Sequence, residues 1–167
     1  MSSTNDPAIR RAQADDADAI WSIFHAVVAP GDTYAFPPDM ARADALAAWT
    51  GPGIETWVAE DARGIVGTYI LKPNQKGPGD HVANCAYMVA PEARRGGVGR
   101  AMAEHSLERA RERGFRAMQY NLVVSTNTGA IRLWQEMGFG IAGTLAGAFR
   151  HPVHGQVDAY VMYRRLD

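Results

Sequence analysis

One cysteine, Cys85, is all that the 167 residues contain, which rules out an intrachain disulfide and falls short of a cysteine-rich zinc site. An excess of charge of one sign is missing as well: 17 Lys and Arg stand against 18 Asp and Glu, a formal net charge of −1. No long-range field draws such a chain to nucleic acid or to an anionic membrane, so neither is expected as a partner. Any anion it binds must be held by a local group of donors. No apolar run approaches the roughly 20 residues that span a bilayer. The stretch Met1 to Pro7 is polar and lacks the basic start and apolar segment of a secretion signal. The expected setting is therefore the reducing cytoplasm.

What is present is globular in composition, 47% hydrophobic and 21% charged, and the length suits one domain over residues 1–167. Ala8 to Gln13 reads as a first strand. Asp15 or Asp16 then caps a helix in which Ile20, Ile23, Phe24 and Val27 recur at helical spacing. Pro30-Gly31 stops it, and Gly31 to Pro38 is a turn-rich loop carrying two aromatic rings. Asp39 is expected to open a second helix, ending near Trp49 before Gly51-Pro52-Gly53. Ile54 to Glu60 and Ile65 to Leu71 read as a hairpin, and His81 to Val89 as a further strand ended by Pro91.

The period then becomes helical over Gly97 to Arg113, with Met102, Ala103, Ser106, Leu107 and Ala110 on one face and Gly114 as the stop. Arg116 to Val124 is a strand, Ala130 to Met137 a short helix stopped by Gly138, and Phe139 to Phe149 and Val157 to Tyr163 close the chain as strands. Strands interleaved with helices in the second half indicate a mixed α/β sheet.

The most informative stretch is Val89 to Arg100, VAPEARRGGVGR. A strand ends, the chain turns through small residues and a helix begins. The first amides of that helix have no partner within it, and they point outward with the positive end of the helix dipole, so an anion fits there. Gly96, Gly97 and Gly99 let a large anion approach the main chain without meeting a Cβ atom. Arg94, Arg95 and Arg100 lie where positive charge is unfavourable by about 0.3–1 kcal/mol each. An anionic ligand removes that conflict.

Arg94-x-x-Gly97-x-Gly99, preceded by Val89-x-Pro91, resembles the acetyl-CoA pyrophosphate motif of the GCN5-related N-acetyltransferase (GNAT) superfamily. Asn127-x-x-Ala130-x-x-Leu133-Trp134-x-x-x-Gly138-Phe139 is similar to that superfamily's second CoA-binding block. The segment Phe115 to Asn127 with Leu133-Trp134 and the terminal Val157-Asp158-Ala159 resemble a narrower branch, the enzymes related to fungal acetyltransferases of proline analogues. The resemblance implies a GNAT fold: a mixed, twisted sheet of about seven strands with a central V-shaped opening, and about four helices. It implies that the main chain around Gly96 to Arg100, Val98 included, holds the pyrophosphate of acetyl-CoA. It also implies that the main chain of Met88 and Val89 pairs with the pantetheine arm, and that Asn127 donates to that arm. The acceptor it implies is a small amine or amino acid. Acetylation of a protein N-terminus or lysine, and a non-catalytic CoA sensor, stand as alternatives. Homodimers are common in the superfamily.

Acyl transfer to an amine needs the neutral amine. At pH 7 only about one part in a thousand of a free alkyl amine is neutral, a cost of roughly 4 kcal/mol. Many family members place a carboxylate on the strand before the CoA loop, yet His81 to Pro91 has none. It offers His81, Asn84 and Tyr87, with Asp80 at its edge. His81 is a candidate base by its ordinary pKa, or else a solvated strand-end histidine; Tyr87 is the second candidate for proton transfer. Where many relatives carry a tyrosine this chain has Trp134, whose indole donates a hydrogen bond but is no practical acid. It reads as a packing residue under the cofactor arm. Asn121 sits in an apolar strand and must satisfy its amide, either across the sheet or facing the cleft, where it would orient the substrate or the thioester carbonyl. Asp32, Tyr34 and Phe36 of the first loop are the candidate acceptor contacts. Cys85 reads as a buried hydrophobe and His151 and His154 as loop residues; no metal-ligand spacing stands out.

Overall fold

The computed structural model describes residues 6–167, so the expectation attached to Met1 to Pro7 lies largely outside the described residues. Seven strands form one sheet: β1 (Ala8–Arg11), β2 (Glu55–Asp61), β3 (Gly64–Pro73), β4 (Val82–Val89), β5 (Ala117–Val124), β6 (Gly140–His151) and β7 (Gly155–Arg165). Their order is β1-β2-β3-β4-β5-β7-β6. Every pairing is antiparallel except that of β4 with β5. Four helices accompany them: α1 (Ala17–Val28), α2 (Arg42–Thr50), α3 (Val98–Glu112) and α4 (Thr128–Glu136). The mixed, seven-stranded, four-helix arrangement expected from the resemblance is the one observed.

The helices divide between the faces of the sheet according to the alternation of β3. Thr68 accepts a 3.0 Å hydrogen bond from the Trp49 indole of α2, so the even-numbered side chains of β3 face α1 and α2. Odd-numbered Tyr69 bonds His105 of α3 at 2.7 Å on the other face. There Met102, Ala103, Leu107 and Ala110 are buried, as their helical spacing requires. Ser106 shares that apolar face because its hydroxyl is satisfied by the Ala103 carbonyl at 2.8 Å. Gly67 marks the closest approach: a Cβ there would lie 2.9 Å from Val98 and 3.0 Å from Met102.

Two expected helix starts are corrected. Asp16 stands at the start of α1, but its carboxylate does not cap it. A 3-10 turn over Ala14–Asp16 comes first, and the carboxylate turns back to the Gln13 amide at 2.7 Å and to Arg10 at 2.8 Å. Asp39 does not open α2. The Met40 amide closes a turn on the Pro37 carbonyl, and the helix begins at Arg42 behind Ala41, which has no side chain to cap it.

The feature that positions the site is the junction of the two parallel strands. β4 and β5 are paired only over Val82–Asn84 with Ala117–Gln119; beyond that they part. The cause lies in β5. Between the pairs Tyr120–Met162 and Val123–Tyr160 it carries two residues, Asn121 and Leu122, where β7 has one. Such a bulge bends its strand and raises its twist. It also breaks the simple alternation expected along Arg116 to Val124, so that Val123 and Val124 are both buried.

Candidate active site

Beyond the V, β4 presents an open edge whose chemistry follows from register. Ala90 donates to the Val66 carbonyl at 2.8 Å, and the pairing of Gly67 with Val89 continues through Pro73 with Ala83. In an antiparallel ladder hydrogen-bonded pairs alternate, so Met88 and Ala86 commit their main-chain groups to β3. Val89, Tyr87 and Cys85 turn theirs toward the cleft. The expectation that Met88 shares the arm-binding role with Val89 is therefore corrected: Met88 faces β3 and its side chain is 1% exposed. At Tyr87 the edge is already occupied. The Tyr34 hydroxyl donates to the Tyr87 carbonyl at 2.6 Å and accepts from its amide at 3.0 Å.

At the wide end of the V the chain makes a 3-10 turn over Pro91–Ala93 and enters α3. Gly97 precedes the helix at φ 82, and Arg95 has φ 64. Left-handed residues of this kind fold successive amides into a concave anion-binding nest. The Gly97 carbonyl is taken up by Ala101, and the Gly96 amide, expected among the pyrophosphate donors, turns back to the Ala93 carbonyl at 3.4 Å; the amides of Val98, Gly99 and Arg100 have no partner within the helix. A Cβ on Gly97 would meet nothing within 4 Å, so the space beside these amides is open. Arg94 and Arg95 are exposed and, among the described residues, make no ion pair. Arg100 differs: it pairs with Glu136 of α4, which Arg132 also holds at 3.1 Å. Its charge is balanced within the protein, contrary to the sequence-based expectation. Arg63 braces the turn from the β2–β3 hairpin, donating to the Glu92 carbonyl at 3.1 Å.

At the V itself lies a cavity of about 370 Å³, lined from both faces of the sheet. Tyr34, Phe36, Tyr87, Asn121, Asn127 and Trp134 all line it, although they come from five separate segments. Asn127 caps α4 through its carbonyl oxygen, 3.4 Å from the Ala130 amide. That fixes the side chain and leaves its NH₂ group to donate elsewhere. Asn121 is exposed; its amide donates to Asn74 at 2.8 Å and accepts from Gln119 at 2.9 Å. Trp134 packs on Tyr87 at 4.9 Å and on Tyr120 at 4.8 Å between ring centres. Phe36 stacks on Tyr34 and tilts against Phe24.

The hydroxyls of Tyr87, Tyr120 and Ser106 form a chain, with Tyr87 at 3.0 Å from Tyr120 and 2.7 Å from Ser106. Burial pushes both phenols well above their ordinary value, and nearby Cys85 adds to it. They stay protonated, and because the Ser106 proton goes to the Ala103 carbonyl the chain runs from Tyr120 to Tyr87 to Ser106, each hydroxyl donating to the next. Burial likewise raises the Cys85 thiol to about 12. Two candidates fall outside the cavity: His81 is exposed at the closed end of the V, where its carbonyl accepts from the Arg116 amide, and Asp32 does not line the wall. Among the described residues no His, Cys, Asp and Glu cluster could hold a metal ion. None of the helices is long and apolar enough to cross a membrane.

A family model described as "Acetyltransferase (GNAT) family" matches residues 19–139, which takes in the open β4 edge, the Gly97 turn and α4. The chain belongs to the GNAT family. Among solved structures, this GNAT chain is similar to a GCN5-related N-acetyltransferase from Kribbella flavida. The two are 43% identical with a TM-score of 0.92, over 98% of this chain and 99% of that one. A phosphinothricin acetyltransferase from Sinorhizobium meliloti, solved in complex with acetyl-CoA, is 25% identical with a TM-score of 0.80, over 96% and 88% of the two chains. The N-acetyltransferase aca1 of Schizosaccharomyces pombe is 36% identical over 111 residues, 66% of this chain. The chain spans about half the length, 53%, of that curated relative.

Sequence reasoning missed three groups of the GNAT cleft. Tyr120 reads from sequence as one more apolar strand position, and only the fold brings its hydroxyl to Tyr87. The Thr33 hydroxyl is buried in the cavity wall without a partner. Lys72 is the third, on β3 opposite Asn84.

Proposed function

We propose that the protein transfers the acetyl group of acetyl-CoA to the amine of a small molecule or amino acid, by direct attack while both are bound. One observation carries the reading: the open edge of β4 runs from the donors at the start of α3, past Val89, to a cavity of about 370 Å³. That is room for a long anionic thread at one end and a compact acceptor at the other.

The residues fit such a cofactor. The Val98–Arg100 amides and the exposed Arg94 and Arg95 meet a diphosphate, Gly97 leaves it room, and Val89 and the Asn127 NH₂ group meet the amide-bearing arm. Acetyl-CoA when bound supplies an activated thioester. Around it the protein orients and excludes water: Trp134 and the Tyr87–Tyr120 pair wall the reacting end. A thiol leaves tolerably as thiolate near neutral pH, so the step needs no general acid. Cys85, with its thiol pushed to about 12, is a poor nucleophile, which supports attack by the amine itself over an acyl-enzyme. No Asp or Glu lines the cavity, so the ammonium proton leaves through its mouth to water. Asn121, at the bulge where the strands part, keeps a second amide hydrogen beyond the one it gives Asn74, and that hydrogen would orient the acceptor. Both halves of the site lie on one sheet, which supports reading the chain as one catalytic unit.

The deciding assay follows CoA release against amines, amino acids and peptides. Release with small amines or amino acids is expected. Acceleration by peptides alone overturns the acceptor class. Tight acetyl-CoA binding with no release from any amine would make the protein a sensor.

A further inference from the structure

The polar side chains of the cavity are unequal in what they have left to give. The Asn84 NH₂ group donates to the Gln119 carbonyl at 3.0 Å, Asn121 is tied to Asn74 and Gln119, and the Tyr34 hydroxyl is taken by Tyr87. Lys72 is not committed in this way. By the alternation of β3 it projects to the same face as Thr68 and Ile70, directly opposite Asn84, and both line the cavity. It is half-buried and, among the described residues, has no carboxylate within 4.0 Å, whereas the guanidiniums of Arg10, Arg11, Arg63, Arg100, Arg109 and Arg113 all do.

The cavity thus holds one cation and no anion. A half-enclosed ammonium beside neutral amides and apolar walls has lost water without gaining a counter-charge. It repels a second cation and attracts an oxyanion. Its place along the strand separates the two ends of a substrate. Lys72 pairs with Asn84, three residues before Tyr87, roughly 10 Å at the rise of a strand. The flexible four-carbon stem of lysine shortens that gap to the span of a small bifunctional molecule.

We propose that Lys72 is the specificity-determining residue of the acceptor site, and that it selects amines carrying a carboxylate by pairing with that carboxylate while the amine faces the V. The proposal rests on the acetyl-transfer reading above, and it adds a charge requirement that the reading alone does not contain.

The test compares a small α-amino acid with its α-carboxamide, in the full-length protein with acetyl-CoA, for wild type, Lys72→Met, Lys72→Arg and Lys72→Glu. The carboxamide differs in the basicity of its amine, so the quantity read is the change in the acid-to-amide ratio of kcat/KM between variants, in which that difference cancels. Lys72→Met should lower the ratio at least tenfold, mainly through KM of the acid, with the carboxamide within about twofold of wild type. Lys72→Arg should restore most of it, and Lys72→Glu should lower it further. Thermal melting and acetyl-CoA affinity should stay unchanged in all variants, separating selectivity from folding. An unchanged ratio in Lys72→Met, or equal losses on both acceptors, overturns the assignment while leaving acetyl transfer standing. Absence of turnover with every amine, by wild type as well, overturns both.

Discussion

Replacement of Gly97 tests the diphosphate turn, because the structure separates its two roles. The residue has φ 82, where an L side chain is strained, but a Cβ there meets nothing within 4 Å. Gly97→Ala therefore costs only the left-handed backbone, about 1–2 kcal/mol. In a domain of this size each kcal/mol shifts Tm by about 2–4 °C, so a fall of roughly 2–8 °C is expected, with the fold intact at 25 °C. Gly97→Glu adds a carboxylate beside the amides of Val98–Arg100. At about 6 Å from a bound phosphate charge and an effective dielectric near 20, repulsion is about 2.8 kcal/mol, on the order of a hundredfold in affinity. The two variants should melt alike and differ by that factor in acetyl-CoA binding by titration calorimetry, and the gap should shrink as salt is added. Unchanged affinity in Gly97→Glu, or an equal loss in Gly97→Ala, would refute the placement of the diphosphate.

Asn121→Ala should lower kcat at least tenfold with acetyl-CoA affinity within about threefold. Its exposed hydrogen bonds to Asn74 and Gln119 lead to a stability change within about 0.5 kcal/mol, and a large drop in Tm would mark it as structural. Acid should destabilise the protein in two windows. Burial lowers the His105 pKa, so below about 6.5 the unfolded chain takes up a proton that the folded one resists, and stability falls with falling pH. A second loss follows below about 4. Arg10 holds the Asp16 carboxyl low, and Glu55 is held low by Arg109 and Trp57 in spite of its burial. The stability these carboxylates contribute is complete above their unfolded values and lost as pH drops through the folded ones. Melting curves from pH 8 to 3 check this: a flat Tm between pH 7 and 5 would rule out the first window, and His105→Gln should remove it.

What was legible in the sequence was local. The Gly97 turn, the faces of α1 and α3 and the hairpin at Asp61 each depend on residues within a few positions of one another, so period and turn chemistry reveal them. Asp39 and Asp16 show the limit of that logic: both are good caps by type, but Asp39 falls inside a turn closed on Pro37, and Asp16, though it stands at the start of α1, gives its carboxylate to Arg10 and the Gln13 amide. Arg100 looked frustrated at a helix start because Glu136, its partner, lies 36 residues away. Met88 and Val89 are neighbours in the motif, yet strand register turns their main-chain groups in opposite directions. The cavity was least legible, because Lys72, Tyr120 and Thr33 have nothing in common before folding brings them to one wall.

The hydroxyl of Tyr34 has a consequence for how the two ends of the chain's work are joined. An unpaired strand border inside a protein is sticky, prone to zip shut or to recruit a foreign segment. Here one phenol from the early loop acts as a stopper in that seam, holding it ajar while leaving the stretch beside Val89 for a guest. The loop that would welcome the acceptor is thereby pinned to the rail that would carry the donor, so tugging on either should be felt by both.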